Sequence, residues 1–263
     1  MPGTESFDKI IDGKQVSLFR LKNRLNTELC ITNYGCRIVS LLVQDKNEQP
    51  VDVVVGFDSI EGYLTATEVY HGATIGRYAN RIARGEFHLK ENEYQLAINN
   101  GPNHLHGGPG GFHSRVWDVE ERSESSITLS YLSVDGEEGY PGNLRIKVRF
   151  RLSIENEVII DYEATTDETT ILNITNHAYF NLNGQGSGTI LNHSLHINAD
   201  RYTPVNENLI PTGTVDVVDQ TPFDFTSLTT IGKRINENNI QLKYGNGYDH
   251  NYVLNKYGRE PEF

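Results

Sequence analysis

The sequence predicts an all-β fold, a large antiparallel β-sandwich with few short helices, from three observations. Stretches of period-two alternation recur along the chain, clusters of Gly, Asn, Asp and Pro separate them, and helical spacing is scarce. Alternation means one face of each strand lies in a core and the other meets water.

The clearest stretch is 144–154, in which Leu144, Ile146, Val148, Phe150 and Leu152 alternate with Arg145, Lys147, Arg149 and Arg151. Weaker alternation marks residues 126–134, 158–164 and 195–199 as further strands. The intervening segments 135–143 and 181–188 are rich in Gly and Asn and read as turns. Residues 228–240 are the best candidate for a short helix, and 249–254 reads as a strand entering a core. No Pro-, Ser- or charge-rich linker and no fixed-period repeat interrupts the chain, so residues 1–263 are expected to form a single sandwich domain. The sequence ends at Phe263, soon after that last strand, and the domain is therefore expected to be incomplete at its C-terminus.

A chain of 263 residues with 37% hydrophobic content can bury a substantial core. Its 23 basic and 35 acidic residues give a net charge of −12, a field that repels phosphate backbones and anionic lipid. No nucleic acid and no membrane partner is expected, whereas a neutral small molecule is indifferent to that field. The first twenty residues hold no apolar run of signal-peptide type, and a cytoplasmic location is expected. The two cysteines, Cys30 and Cys36, form no CxxC pair and no disulfide framework. Glycosylation sequons begin at Asn173 and Asn192, without a secretion signal to make them matter.

Four segments concentrate polar groups that a plain sandwich does not need. Asn80 and Arg81 sit among small residues, which suits either a turn with a solvated Arg or a planar fork of donors aimed at a substrate oxygen. His104 and His106 form an H-x-H pair, which on a strand places both imidazoles on one side. That arrangement serves metal sites and acid/base pairs alike, but the following Gly107, Gly108, Pro109, Gly110 and Gly111 offer no further ligand, so no metal is expected. Asn173, Asn176, His177, Tyr179 and Asn181 crowd the end of an apolar strand. His177 there is either a satisfied core residue or an imidazole held for proton transfer. Asp249 and His250 follow a Gly-rich turn, as a hairpin cap or as part of a site.

Taken in order, these segments resemble the aldose 1-epimerase (galactose mutarotase) family over most of the chain, from residues 31–39 to Asn251. The resemblance implies a galactose mutarotase-like supersandwich with a sugar cleft on one face. It implies catalytic roles for His177 and His106, and substrate contacts at Asn80, Arg81, His106, His177, Tyr179 and Asp249. By the same resemblance His177 is the general acid that protonates the ring oxygen while a Glu takes the proton of the anomeric hydroxyl. The implied partner is a small aldose sugar, the protein being a monomer or homodimer, and the implied chemistry needs no cofactor. Ring opening asks only for one proton delivered and one removed by groups with pKa values near working pH.

The family's catalytic Glu and a sugar-binding Gln fall after the position of Asn251, beyond the motifs matched here. The expectation is therefore a chain with little mutarotase activity of its own. A sugar-binding relative without catalysis is the alternative.

Overall fold

The alternation at 144–154 becomes a strand, Leu144–Leu152, with Leu144, Ile146, Val148, Phe150 and Leu152 buried. In the computed structural model, which describes residues 2–256, this strand is central to a four-stranded antiparallel sheet. Asp118–Arg122, Ser126–Ser133, Leu144–Leu152 and Val158–Thr166 follow one another as a meander. Its register pairs Phe150 with Ile127 on one side and Ile160 on the other, so apolar residues sit on one face by the pleat. On the other face Lys147 meets Glu120 at 2.7 Å and Arg151 meets Asp161 at 2.9 Å.

A second four-stranded meander runs through Leu18–Lys22, Glu28–Thr32, Arg37–Gln44 and Pro50–Asp52. Leu21, Leu29, Ile31 and Ile38 of this sheet share one core with Trp117, Ile127, Leu129, Ile146, Val148 and Phe150 of the other. That shared core makes the pair a sandwich, as the sequence predicts. The all-β expectation holds, with two short α-helices, Ile60–Thr65 and Ile240–Gly245. The first is capped by Ser59, whose side chain accepts from the Gly62 N–H.

The helix expected over 228–240 is not formed as such. Ile231–Lys233 makes one 3₁₀ turn, and the α-helix begins at Ile240, where the expected one ends. Asn239 decides this, because its side chain accepts from the Gln241 N–H and so starts a helix after itself rather than continuing one. The expected strand at 195–199 shrinks to Ser194–Leu195, and that at 249–254 to Tyr252–Val253.

The chain divides into two compact units, one ending at Gly188 and one beginning at Thr189. The first holds both meanders. In the second, Tyr202, Val218, Phe223 and Leu242 form a small core under a three-stranded sheet of Arg201–Tyr202, Asp216–Val217 and Tyr252–Val253. No helix among the described residues is long and apolar enough to cross a membrane.

Two substitutions on the Leu144–Leu152 strand should separate sharply in urea denaturation. Phe150→Ala, which empties a fully buried site, is expected to cost about 3–5 kcal/mol. Lys147→Ala, which removes a solvent-screened pair, is expected to cost under about 1 kcal/mol. Equal shifts would contradict the assignment of the two faces.

Candidate active site

In the first unit, three loops are brought together by glycines whose neighbours leave no room for a side chain. Gly72 has φ +68°, and a Cβ there would lie 1.9 Å from the Ile38 carbonyl oxygen. Gly107 has φ +83°, and a Cβ there would lie 1.8 Å from the Gly76 carbonyl oxygen. The first contact seats the 70–73 segment on the Arg37–Gln44 strand, and the second presses the loop after His106 onto residue 76.

His177 is clamped to the 70–73 segment by its backbone. Its N–H donates to the Ala73 carbonyl at 2.8 Å, and its own carbonyl accepts from the Gly72 N–H at 3.0 Å. The preceding strand Thr175–Asn176 pairs antiparallel with Thr74–Ile75, and the Asn176 amide donates to the Gly72 carbonyl at 2.9 Å. Tyr179 follows on a strand paired with Val54–Val55, its ring 5.1 Å from that of His177.

His106 is held by Asn80 twice. The backbone N–H of His106 donates to the Asn80 carbonyl at 3.1 Å, and the Asn80 N–H donates to His106 Nδ1 at 2.9 Å. A ring nitrogen that accepts carries no proton, so the neutral imidazole has its N–H at Nε2. Burial first, then the electrostatic influence of His177 and Arg81, pushes the His106 pKa down to about 3. His106 is thus a neutral donor at ordinary pH. It stands 5.0 Å from His177, ring centre to ring centre, at 86°.

Asn80, itself at φ +67°, also accepts through Oδ1 from the Arg81 backbone N–H at 2.9 Å and from Arg81 Nη1 at 3.4 Å. Arg81 Nε donates to Asn100 Oδ1 at 3.0 Å, which fixes the plane of the guanidinium. The solvated-turn reading of Arg81 therefore gives way to a tethered cation beside His106.

The H-x-H pair does not present both imidazoles to one side of a strand. The strand ends at Leu105, and His106 has φ +54°, which breaks the alternation. His104 turns inward, fully buried, with Nδ1 donating to the Ala97 carbonyl at 2.7 Å and Nε2 accepting from the Tyr140 hydroxyl at 2.7 Å. Both its nitrogens are engaged, and no group of three or more His, Cys, Asp or Glu suited to a metal occurs among the described residues.

Asp249 belongs to the second unit, where its side chain is exposed. Its N–H donates to His250 Nδ1 at 3.3 Å, and His250 Nε2 donates to Gln241 Oε1 at 3.1 Å. The imidazole thus steadies the backbone at Asp249 and leaves its carboxylate outward.

Sequence reading missed three residues of the first-unit cluster, Tyr70, His113 and Arg37. Tyr70 contacts three imidazoles, with ring centres 4.7 Å from His106, 4.8 Å from His113 and 5.8 Å from His177. Arg37, 1% exposed, sits behind it and donates to the carbonyls of Tyr34, Val69, His71 and His113. Within this unit the Asn80–Arg81, H-x-H and Thr175–Asn181 segments announced polar chemistry in the sequence; a Tyr in an ordinary loop, an Arg in a strand and a His after a Gly-rich run announced none.

The first-unit cluster thus gathers imidazoles held below their ordinary range, a phenol and a tethered guanidinium, groups able to donate and orient hydrogen bonds. The family profile for aldose 1-epimerase matches residues 17–263, and the chain belongs to that family. It is 46% identical to galactose mutarotase of Bos taurus over 89% of this chain and 66% of that one. It is 36% identical to aldose 1-epimerase of Escherichia coli K12 over 94% of this chain and 70% of that one. Among solved structures it is similar to galactose 1-epimerase from Lactobacillus acidophilus NCFM, with TM-score 0.84, 32% identity, and coverage of 95% of this chain and 73% of that one. The chain thus spans about two thirds of the length of its curated relatives, 66% for the Bos taurus protein.

The depressed imidazoles set a pH dependence. In the fold, burial first and the charges of Arg37 and Arg115 next hold the His113 pKa at about 3, against an ordinary value near 6.5. The unfolded chain therefore binds a proton that the folded one refuses, and stability is full above about pH 6.5 and lost as pH falls from there toward 3. Unfolding free energy, and melting temperature with it, should drop through that window, the free energy by up to about 1.4 kcal/mol per pH unit for His113 alone. His113→Gln should flatten the slope; a profile equally steep in the variant would contradict the assignment.

Proposed function

We propose that this chain carries the sugar-holding and acid side of an aldose 1-epimerase site, one that interconverts the α and β anomers of a free hexose of the galactose or glucose kind. The observation that carries the reading is the fixed, neutral Nε2–H tautomer of His106 beside His177 and Arg81. Such a set offers directional donors to a neutral sugar without putting a second mobile proton in the site.

His177 donates a proton to the hexose ring oxygen, a base takes the proton of the anomeric hydroxyl, and the bond between C1 and the ring oxygen breaks as the anomeric oxygen becomes the C1 carbonyl. Rotation about C1–C2 and reclosure on the other face return the proton and give the opposite anomer. His106 Nε2–H and Arg81 are suited to steady the oxygens on which charge develops. Asn80 and Tyr179 serve as substrate contacts that fix the pose, which is positioning rather than proton transfer. Names of the relatives, galactose mutarotase and aldose 1-epimerase, support the substrate class. The same reading places the chain in the cytoplasm, supported by the two buried free thiols Cys30 and Cys36, which fit a reducing compartment.

The test is anomer exchange of galactose, followed by polarimetry from the fresh α form, with and without added formate as an external base. The 263-residue chain is expected to bind galactose, to speed exchange little on its own, and to speed it several-fold more when formate is added. His177→Ala should retain binding within about tenfold and lose the formate-dependent rate by about 10²-fold or more. Formate acting equally on wild type and variant would overturn the assignment of His177.

A further inference from the structure

Tyr70 touches all three imidazoles of the first-unit cluster, and nothing about its own sequence neighbourhood requires that. Its ring meets His106 at 74° and His113 at 67°, both edge to face, and lies tilted at 31° to His177. Aromatic rings prefer such edge contacts because a positive rim meets a negative face, so one phenol can fix the rotation of several imidazoles. The His113 ring needs that support, since its Nδ1 is buried without a hydrogen-bond partner among the described residues.

The phenol is itself held from behind. Arg37 donates from Nη1 to the carbonyls of Val69 and His71, the residues on either side of Tyr70. From Nη2 it donates at 2.6 Å to the carbonyl of His113, whose ring Tyr70 faces. The Tyr70 N–H donates to the Glu68 carboxylate at 3.0 Å. Backbone on both sides of the ring is thereby fixed to a single buried cation. The Tyr70 hydroxyl makes no hydrogen bond to the described residues, so its ring, not its oxygen, does the holding. The titratable and charged groups that face the phenol are Glu68 and Arg81; those that face His106 are His177, Arg81, His113 and His104.

We propose that Tyr70 is a positioning residue of the site, the aromatic wedge against which His106, His113 and His177 take their relative orientations. Its consequence for a sugar rests on the proposed function, whereas its effect on the imidazoles does not. The ring sets the direction in which His106 Nε2–H and the His177 imidazole present their protons, and a misaimed donor loses most of its value at a reacting centre.

Nuclear magnetic resonance of the imidazole C–H and ring nitrogen signals tests this on the whole chain, with galactose as the binding probe. In the wild type, nuclear Overhauser contacts should run from the Tyr70 ring protons to at least two of the three imidazoles. Tyr70→Phe should leave the three imidazole signals, the His106 tautomer and galactose affinity near wild type. Tyr70→Met, which fills the volume without a ring, should shift all three imidazoles together and weaken galactose binding about tenfold or more, while Ile146 and Val148 methyl signals report an intact sandwich. Lack of the wild-type contacts overturns the proposal, whichever variant folds. So does a Tyr70→Met protein with unmoved imidazoles, or a Tyr70→Phe protein as damaged as Tyr70→Met. Imidazoles that shift in Tyr70→Met, with no galactose binding even in the wild type, would instead count against the sugar reading and leave the positioning role standing.

Discussion

The site depends on a cation buried without a counter-ion. Arg37 opens a core strand of the Leu18–Asp52 meander, is 1% exposed, and pairs with no carboxylate among the described residues. Its charge is spread over four backbone carbonyls and over the faces of Tyr63 and Tyr34, at 4.6 Å and 5.2 Å. Burial lowers its pKa to about 10, which still leaves it charged at neutral pH. Hydrogen bonds to a charged donor contribute about 1.5–3 kcal/mol each, and this set offsets a desolvation penalty of several kcal/mol. A lysine has the charge but lacks the planar fork that reaches carbonyls in three chain segments at once. One side chain thus fixes the sandwich core to the two loops that carry Tyr70 and His113.

From that anchor the order of the site propagates by contact rather than by long-range field. Tyr70 packs on His106, His113 and His177, the backbone of His177 closes on Gly72 and Ala73, and Asn80 closes on His106. Burial in this cluster pushes His104, His106 and His113 below the ordinary imidazole range. The electrostatic result is a set of neutral imidazoles whose tautomers are dictated by backbone partners: Nδ1–H for His104 and Nε2–H for His106. Neutral donors give direction without drawing anions into the site, which agrees with the proposed sugar ligand. The chain's net charge of −12 works the same way at longer range.

Much of the fold was legible because its information is local. Leu144–Leu152 was readable from its alternation, which is the physical cause of its two faces. The helix at 228–240 was misplaced because a cap acts through one side chain: Asn239 sets the start at Ile240, and composition does not show which of several Asn residues caps. The candidate site was legible where its residues cluster in sequence, as at Asn80–Arg81 and Thr175–Asn181. The H-x-H pair misled because a positive φ at His106 is a tertiary outcome, imposed by the loop that Gly107 lets approach residue 76. Arg37 and Tyr70 were illegible because their meaning lies in contacts between segments remote in sequence, which no spacing records.

Hydrogen exchange on Arg37→Gln measures the anchoring role most directly. If the guanidinium ties the site to the core, segments 69–73, 112–115 and 175–178 should lose amide protection together, while Leu144–Leu152 keeps the protection of wild type. Protection lost evenly across both meanders, or retained in all three site segments, would contradict it.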